Sequence, residues 1–342
     1  MVQISRAALL LCALALPFPA AAQQGPDHAA LRDRSLVVLE RQFGAFRDAT
    51  GVLAGTSAAF CAGTGDGADL NAAFAATWRA WAPLDSYQFG PVEQTGAALS
   101  VNFWPDKKNF VGRALDGLLE QPEAAQAAPA TIAASSAAIQ GLPAIELLLT
   151  TDRPTCPAIV GISGYLDQTA QALFEGWFAP GGWADLVRSA GPDNPVYRND
   201  AEFTAVLFTA VDFGLDRVAD ARLARPLGTF EASYPTRAEA WRSGLTAEIA
   251  AAQLAGVAEL MDDGFAEAVP AGKRESFDSQ IGIAERRLRD IGMPISDAVA
   301  DPGTRIRVEA AQSRVNNLRE YLDLAIGPEL GVELGFSAAD GD

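Results

Sequence analysis

Apolar residues recur at steps of three, four or seven over most of this chain. Between Asp27 and about Leu53, the positions Leu36, Leu39, Phe43, Phe46 and Leu53 follow that rhythm. Arg32, Glu40, Arg41 and Arg47 lie between them, which predicts an amphipathic helix. Gly63 to Gly67 interrupts the pattern, and Asp69 is the expected N-cap of a second helix carrying Leu70, Phe74, Trp78, Trp81 and Leu84 on one face. Two tryptophans at i and i+3 mark either core or a pocket wall. From Gln88 to Asp106 the helical period is lost, broken by Gly90-Pro91, Gly96 and Trp104-Pro105. Long irregular segments inside compact domains are often functional, and Glu93, Asn102, Trp104 and Asp106 are groups of the kind that line a pocket.

The next helix shows Val111, Leu115 and Leu118 on one face with Arg113 offset from it, and the Ala-Pro-rich piece from Gln121 to Pro129 reads as linker or loop. Then comes Ile139 to Thr150, where a single ionisable group, Glu146, sits in an otherwise apolar run. A carboxylate there must face solvent, meet a cationic or hydrogen-bonding partner, or bind a cation, because isolated burial of its charge costs several kcal/mol or more. Pro143 suits the first turn of such a helix, where no backbone N–H is needed.

Further helical faces run from Ile159 to Trp177, through Phe203, Val206, Val211 and Val218 to a stop near Arg225-Pro226, then Phe277 to Ile291 and Ile306 to Leu322. Thr236 and Glu239 have the spacing of a capping box, so a long helix is expected to open at Thr236. Strand-length alternation bounded by hairpin signals is absent. The fold class is therefore all-α, with about nine or ten helices in two bundles, residues 23–152 and 153–342, divided near the proline-rich stretch from Asp152 to Pro157.

Composition narrows the chemistry. Arg6, the apolar run Ala7 to Phe18 and the small residues Ala20 to Ala22 read as an export signal over residues 1–22. No residue run offers the length of a membrane span. Leu11 before Cys12 is not the small residue a lipoprotein site requires, so the expected location is the periplasm without a lipid anchor. There, Cys61 and Cys156 are expected to form a disulfide. The net charge of −17 argues against nucleic acid and anionic membranes as partners and attracts cations. The chain has one histidine, His28, close to the expected mature terminus, where a frayed end is the plainer reading. Histidine-based zinc motifs, serine or cysteine nucleophiles with a histidine base, and phosphate-cradling glycine loops are all missing. A metal site would have to be built from carboxylates and carbonyls.

Several pieces taken in order resemble the imelysin-like family. They are Trp78 and Trp81 running into Phe89-Gly90-Pro91-Val92-Glu93, then Asn102 to Asp106 with Gly112-Arg113, then Gly141 to Leu149, then Glu239 to Leu245, and finally Gly335 to Asp342. Gly141 and Glu146 match the family's Gly-x-His-x-x-Glu signature, and Pro143 stands where the histidine would be. The resemblance implies an exported helical protein linked to iron uptake and nominally classed with metallopeptidases, with a pocket near a domain interface. Its partners would be a small-molecule or metal-complex ligand and an outer-membrane or periplasmic iron-uptake component. Glu146, Gly141, Pro143, Asp106, Trp104, Arg113 and Arg242 are the expected pocket residues, with Arg113 or Arg242 as the partner of Glu146. An interdomain salt-bridge network is the alternative role for Asp106, Arg113 and Arg242. With the motif histidine replaced, no cofactor is expected, iron included. The expected function is a non-catalytic binding protein, and a carboxylate-based hydrolase is the alternative.

Overall fold

The computed structural model describes residues 25–152 and 155–332, so the export signal and the Gly335 to Asp342 motif lie outside the described residues. The architecture is all-α, and the described residues contain no strand. The first helix, His28–Cys61, is longer than the apolar period suggested. Asp27 caps it, accepting a hydrogen bond from the Ala30 N–H at 3.0 Å. Leu36, Leu39, Phe43, Phe46 and Leu53 are all buried, as the spacing required. This helix is the spine of the protein, packing against Gly67–Leu84 and also against Cys156–Phe178 and Asp200–Asp216. His28 is not frayed. It opens the helix with Nδ1 3.0 Å from the Thr204 hydroxyl.

Glycines mark where these helices come closest. A Cβ on Gly161 would lie 2.0 Å from the Gln126 carbonyl oxygen, and one on Gly256 would lie 2.5 Å from the Pro83 Cβ. The second of these contacts seats the helix Thr246–Glu259 on Gly67–Leu84. The remaining long helices, Ala271–Asp290 and Pro302–Tyr321, pair with each other, and the first of them also packs on Thr246–Glu259. No helix of the described residues is long and apolar enough to cross a membrane.

Cys61 and Cys156 are bonded, with Cα atoms 5.4 Å apart. They are the last residue of the first helix and the first residue of Cys156–Phe178. The bond therefore fastens the ends of two helices that already pack side by side. In the chain-entropy account, closing a loop of this size contributes about 4 to 5 kcal/mol.

Local details depart from the periodic reading in four places. The second helix is capped by Asp66, whose carboxylate accepts from the Ala68 N–H at 2.8 Å, so Asp69 lies in its first turn. The stretch expected to be irregular contains two short helices, Pro91–Thr95 and Ala97–Val101, because its breakers sit at helix ends: Gly90 and Gly96 take positive φ, and Pro91 occupies a first turn. The expected linker contains the single turn Glu123–Gln126. Thr236 and Glu239 form no capping box. Residues 239–245 are a tight turn with Ala240 at φ 51° and Gly244 at φ 72°, and the helix begins only at Thr246.

Candidate ligand-binding site

Glu146 is on the helix Leu142–Leu149, whose backbone is positioned by the two residues before it in the motif. Gly141 has an extended backbone under the end of Ala97–Val101, where an added Cβ would lie 2.1 Å from the Val101 carbonyl oxygen. Its role is close packing, and it does not reach the cavity described below. Pro143 occupies the first turn, as expected, and lies on the cavity wall. The Glu146 side chain is 3% exposed. Its Oε1 accepts hydrogen bonds from the Ser243 backbone N–H at 2.9 Å and the Ser243 hydroxyl at 2.7 Å, and Oε2 lies 3.9 Å from the Arg242 guanidinium. Burial raises the carboxyl above its ordinary range, while Ser243 and the Arg242 charge pull the other way.

A second cluster lies in the core nearby. Arg222 and Glu239 are both fully buried, with Nε donating to Oε2 at 2.6 Å. Arg222 also donates to Asp85 at 3.0 Å, and Arg217 pairs with the same carboxylate oxygen at 2.6 Å. The Asn102 amide donates to the other oxygen of Glu239 at 2.6 Å. Burial pulls the Glu239 carboxyl upward, but the Arg222 and Arg217 charges and the Asn102 amide outweigh it and leave it lowered. Asp85 is raised, chiefly by burial, against the same two arginines. Arg217 and Arg222 belong to a π-helical stretch, Arg217–Ala224, a wider turn that is frequent at functional sites.

The core cluster fastens together three segments that form one cavity. Asn102 precedes Phe103 and Trp104, Glu239 precedes Trp241 and Arg242, and Arg222 lies one helical turn before Arg225. Phe103, Trp104, Arg225, Trp241 and Arg242 all line a cavity of about 700 Å³, together with Trp78, Pro143 and Glu146. Glu146 also borders a smaller space of about 320 Å³, shared with Ser243, Phe74 and Thr150. Glu146 thus borders both spaces, and Ser243 only the smaller.

The cavity's charge runs against that of the protein. Lys107, Arg225, Arg237 and Arg242 line it, against Asp106 and Glu146. Asp106 is committed elsewhere: its two oxygens accept from the Phe110 and Val111 N–H groups at 2.7 and 2.9 Å, capping the helix Phe110–Leu119. Among the described residues no carboxylate pairs with Lys107, Arg225 or Arg237. Aromatic rings hold the guanidiniums instead. Arg225 lies 5.5 Å from the Trp104 ring centre, Arg242 lies 4.5 Å from that of Trp241, and Arg237 lies 3.7 Å from that of Tyr234.

Of the expected residues, Glu146, Pro143, Asp106, Trp104 and Arg242 do meet at this cavity, and Arg242 is the cation facing Glu146. Arg113 is not its partner. Its guanidinium donates to the Lys108 carbonyl at 2.7 Å and stacks on Phe110, directed by its own helix start. Arg225, Arg237, Lys107 and Ser243 were missed, as was the whole Asp85–Arg222–Glu239 cluster. Ser243 lies inside the Glu239 to Leu245 segment that carried the family likeness, so that segment was the available signal. The donor set at the motif does not suit an iron ion: Pro143 offers no side-chain ligand, and both Glu146 oxygens face hydrogen-bond donors or a cation. No three His, Cys, Asp or Glu side chains among the described residues converge in a way that could hold a metal.

Comparison with known proteins places this all-helical fold in the imelysin class of proteins. The Peptidase M75 (imelysin) family profile matches residues 41–322, and the chain belongs to that family. An imelysin-like protein from Psychrobacter arcticum 273-4 has a similar solved structure, at 16% identity and a TM-score of 0.75, covering 92% of this chain and 99% of that one. A structure from Parabacteroides distasonis ATCC 8503, named for an iron-regulated protein A precursor, is similar at 13% identity and a TM-score of 0.68, covering 88% of this chain and 96% of that one. Among curated proteins, none matches significantly.

Proposed function

We propose that this imelysin-family protein is an exported, periplasmic binding protein that takes a small-molecule or metal-complex ligand into the cavity beside Glu146, without catalysis, as an accessory to iron or haem uptake. The observation that carries this reading is the cavity itself. Three chain segments are clamped by a buried ionic cluster, and together they present tryptophan faces and cations to a space of small-molecule size. Glu146 acts as a fixed acceptor that holds the Ser243 turn in place, with Arg242 beside it. The iron association comes from the family and from the name of one structural neighbour.

A hydrolase working through carboxylates is the second reading. It draws on one feature, the raised Glu146 carboxyl at a cavity, which is the usual condition of a general acid. Against it, Glu146 is occupied by Ser243 and has no second free carboxylate to work with, since Asp106 caps a helix.

Titration of the purified protein with haemin, followed by absorbance, and with ferric citrate, followed by tryptophan fluorescence, tests the first reading. Saturable binding with one site per chain is expected, and the Trp104 and Trp241 signals should respond. If neither probe binds, the reading falls. Incubation with a peptide mixture, with and without added divalent metal, tests the second. Cleavage that is lost in Glu146→Gln would make the protein a hydrolase instead.

A further inference from the structure

We propose that the cavity recognises its ligand through oxyanions, so that it takes a small molecule carrying carboxylate or phosphate groups and does not take a bare cation. This rests on the reading above in one respect, that the cavity is the ligand site.

Three observations carry it. The chain has 26 basic against 43 acidic residues, yet four cations and only two carboxylates line this space. Asp106 is held by two backbone N–H groups and Glu146 faces Arg242 at 3.9 Å, so the cations outnumber the carboxylates by two and the lining keeps a net positive charge. Arg225, Arg237 and Arg242 each have the guanidinium over an aromatic ring, 5.5, 3.7 and 4.5 Å from its centre. A guanidinium over a ring face can present its planar N–H fork to a carboxylate or phosphate with two parallel hydrogen bonds. Low-dielectric walls around a net positive charge also concentrate counter-ions, here anions, at the cavity mouth. A bare ferrous or zinc ion would meet the opposite field.

The test is calorimetric titration with iron-free citrate, with inorganic phosphate, and with ferrous and zinc ions, on wild type, Arg225→Gln, Arg237→Gln and the double variant. Among the described residues neither side chain makes an ion pair, so the variants should fold, which circular dichroism checks. Citrate or phosphate is expected to bind with one site per chain, and the ratio of the two affinities tells which oxyanion the spacing suits. Each lost guanidinium should weaken that binding about tenfold or more, the size of a hydrogen bond to a charged group. Added salt should weaken it further. Failure of both anions to bind overturns the inference, and so does binding that the double variant leaves unchanged. The haemin and ferric citrate titrations separate the two claims. If haemin binds equally well to wild type and the double variant, the inference falls and the uptake reading stands. If iron-free citrate binds through the arginines while haemin and ferric citrate do not, the inference stands and the uptake reading falls.

Discussion

Glu239 and Arg242 are three residues apart, as are Arg222 and Arg225, yet in each pair one residue belongs to the core cluster and the other to the cavity. The core members are handled as buried charges must be. Arg222 meets two carboxylates, Glu239 meets a guanidinium and an amide, and both are fully enclosed. Withdrawing an ion from water costs several kcal/mol, and only near-complete pairing offsets it. The cavity members are treated differently. Arg225 has a tryptophan face and no carboxylate, and Arg242 reaches Glu146 only at 3.9 Å. Both residues are exposed, so the fold does not have to neutralise them and their hydrogen-bonding capacity is left for a ligand. Charge inside the core therefore builds the walls, and charge three residues further along furnishes them.

The sharpest way to break this comparison is to remove Arg222. Arg222→Ala leaves Asp85 and Glu239 buried with Arg217 as their one remaining cation, and should destabilise the protein by about 3–5 kcal/mol, the usual result of stranding a buried charge. Urea unfolding followed by circular dichroism measures this. A loss under about 1 kcal/mol would mean that the cluster does not hold the three segments together. Asn102→Ala removes only the link to the Trp104 segment, and its smaller loss should come with a change in tryptophan fluorescence.

The contrast between these clusters also explains what could be read from the sequence. Helix faces were legible because burial of Leu36, Leu39, Phe43 and Phe46 imposes a period on neighbouring residues, and Glu146 stood out because it breaks an apolar run. The disulfide was legible from the pair of cysteines left in a chain whose start reads as an export signal. Glu239 was misread because its capping-box spacing with Thr236 is a local signal, whereas its actual partners lie 17 and 137 residues away. Ion pairs over such separations leave no periodic trace. Arg225, Arg237 and Lys107 were missed for a related reason: a basic residue near a helix end or turn looks the same in sequence whether it faces open solvent or a cavity. Arg113 looked like a pocket residue because a charged group beside an apolar helix face needs a partner, but the Lys108 carbonyl just before its own helix captures it.

A middle-sized effect is expected at Glu146, which has features of both groups. Glu146→Ala removes the acceptor for two Ser243 donors and should cost about 1 kcal/mol, a typical net hydrogen bond. Glu146→Gln isolates the charge. Because burial raises the native carboxyl above its ordinary 4.5, the native state holds the proton more tightly than the unfolded chain does. The stability this contributes is fully present below pH 4.5 and is lost as pH rises through the higher native value. Wild type should therefore gain stability relative to Glu146→Gln on acidification from pH 7.5 to 4.5, read as the difference between urea midpoints. A gap that widens in wild type's favour as pH rises would mean that Ser243 and Arg242 outweigh burial.

The smallest expected effect completes the comparison. If the cavity cations serve a ligand and not the fold, then Arg225→Gln and Arg237→Gln should each change unfolding free energy by no more than about 0.5 kcal/mol, the range for surface positions without a structural partner. What each guanidinium loses is a stacking contact, worth about 0.5–1 kcal/mol at an exposed ring, and the glutamine side chain retains part of the packing against it. Self-repulsion among the four cations works in the opposite direction, so removing one relieves the others and brings the net change closer to zero. Urea unfolding at low and at moderate salt separates these terms, since salt screens the repulsion and leaves the stacking. A near-zero change at both, beside the large loss in Arg222→Ala, is the expected result. A loss of 2 kcal/mol or more in either variant would place these arginines with the structural charges, and the division between walls and furnishing would not hold.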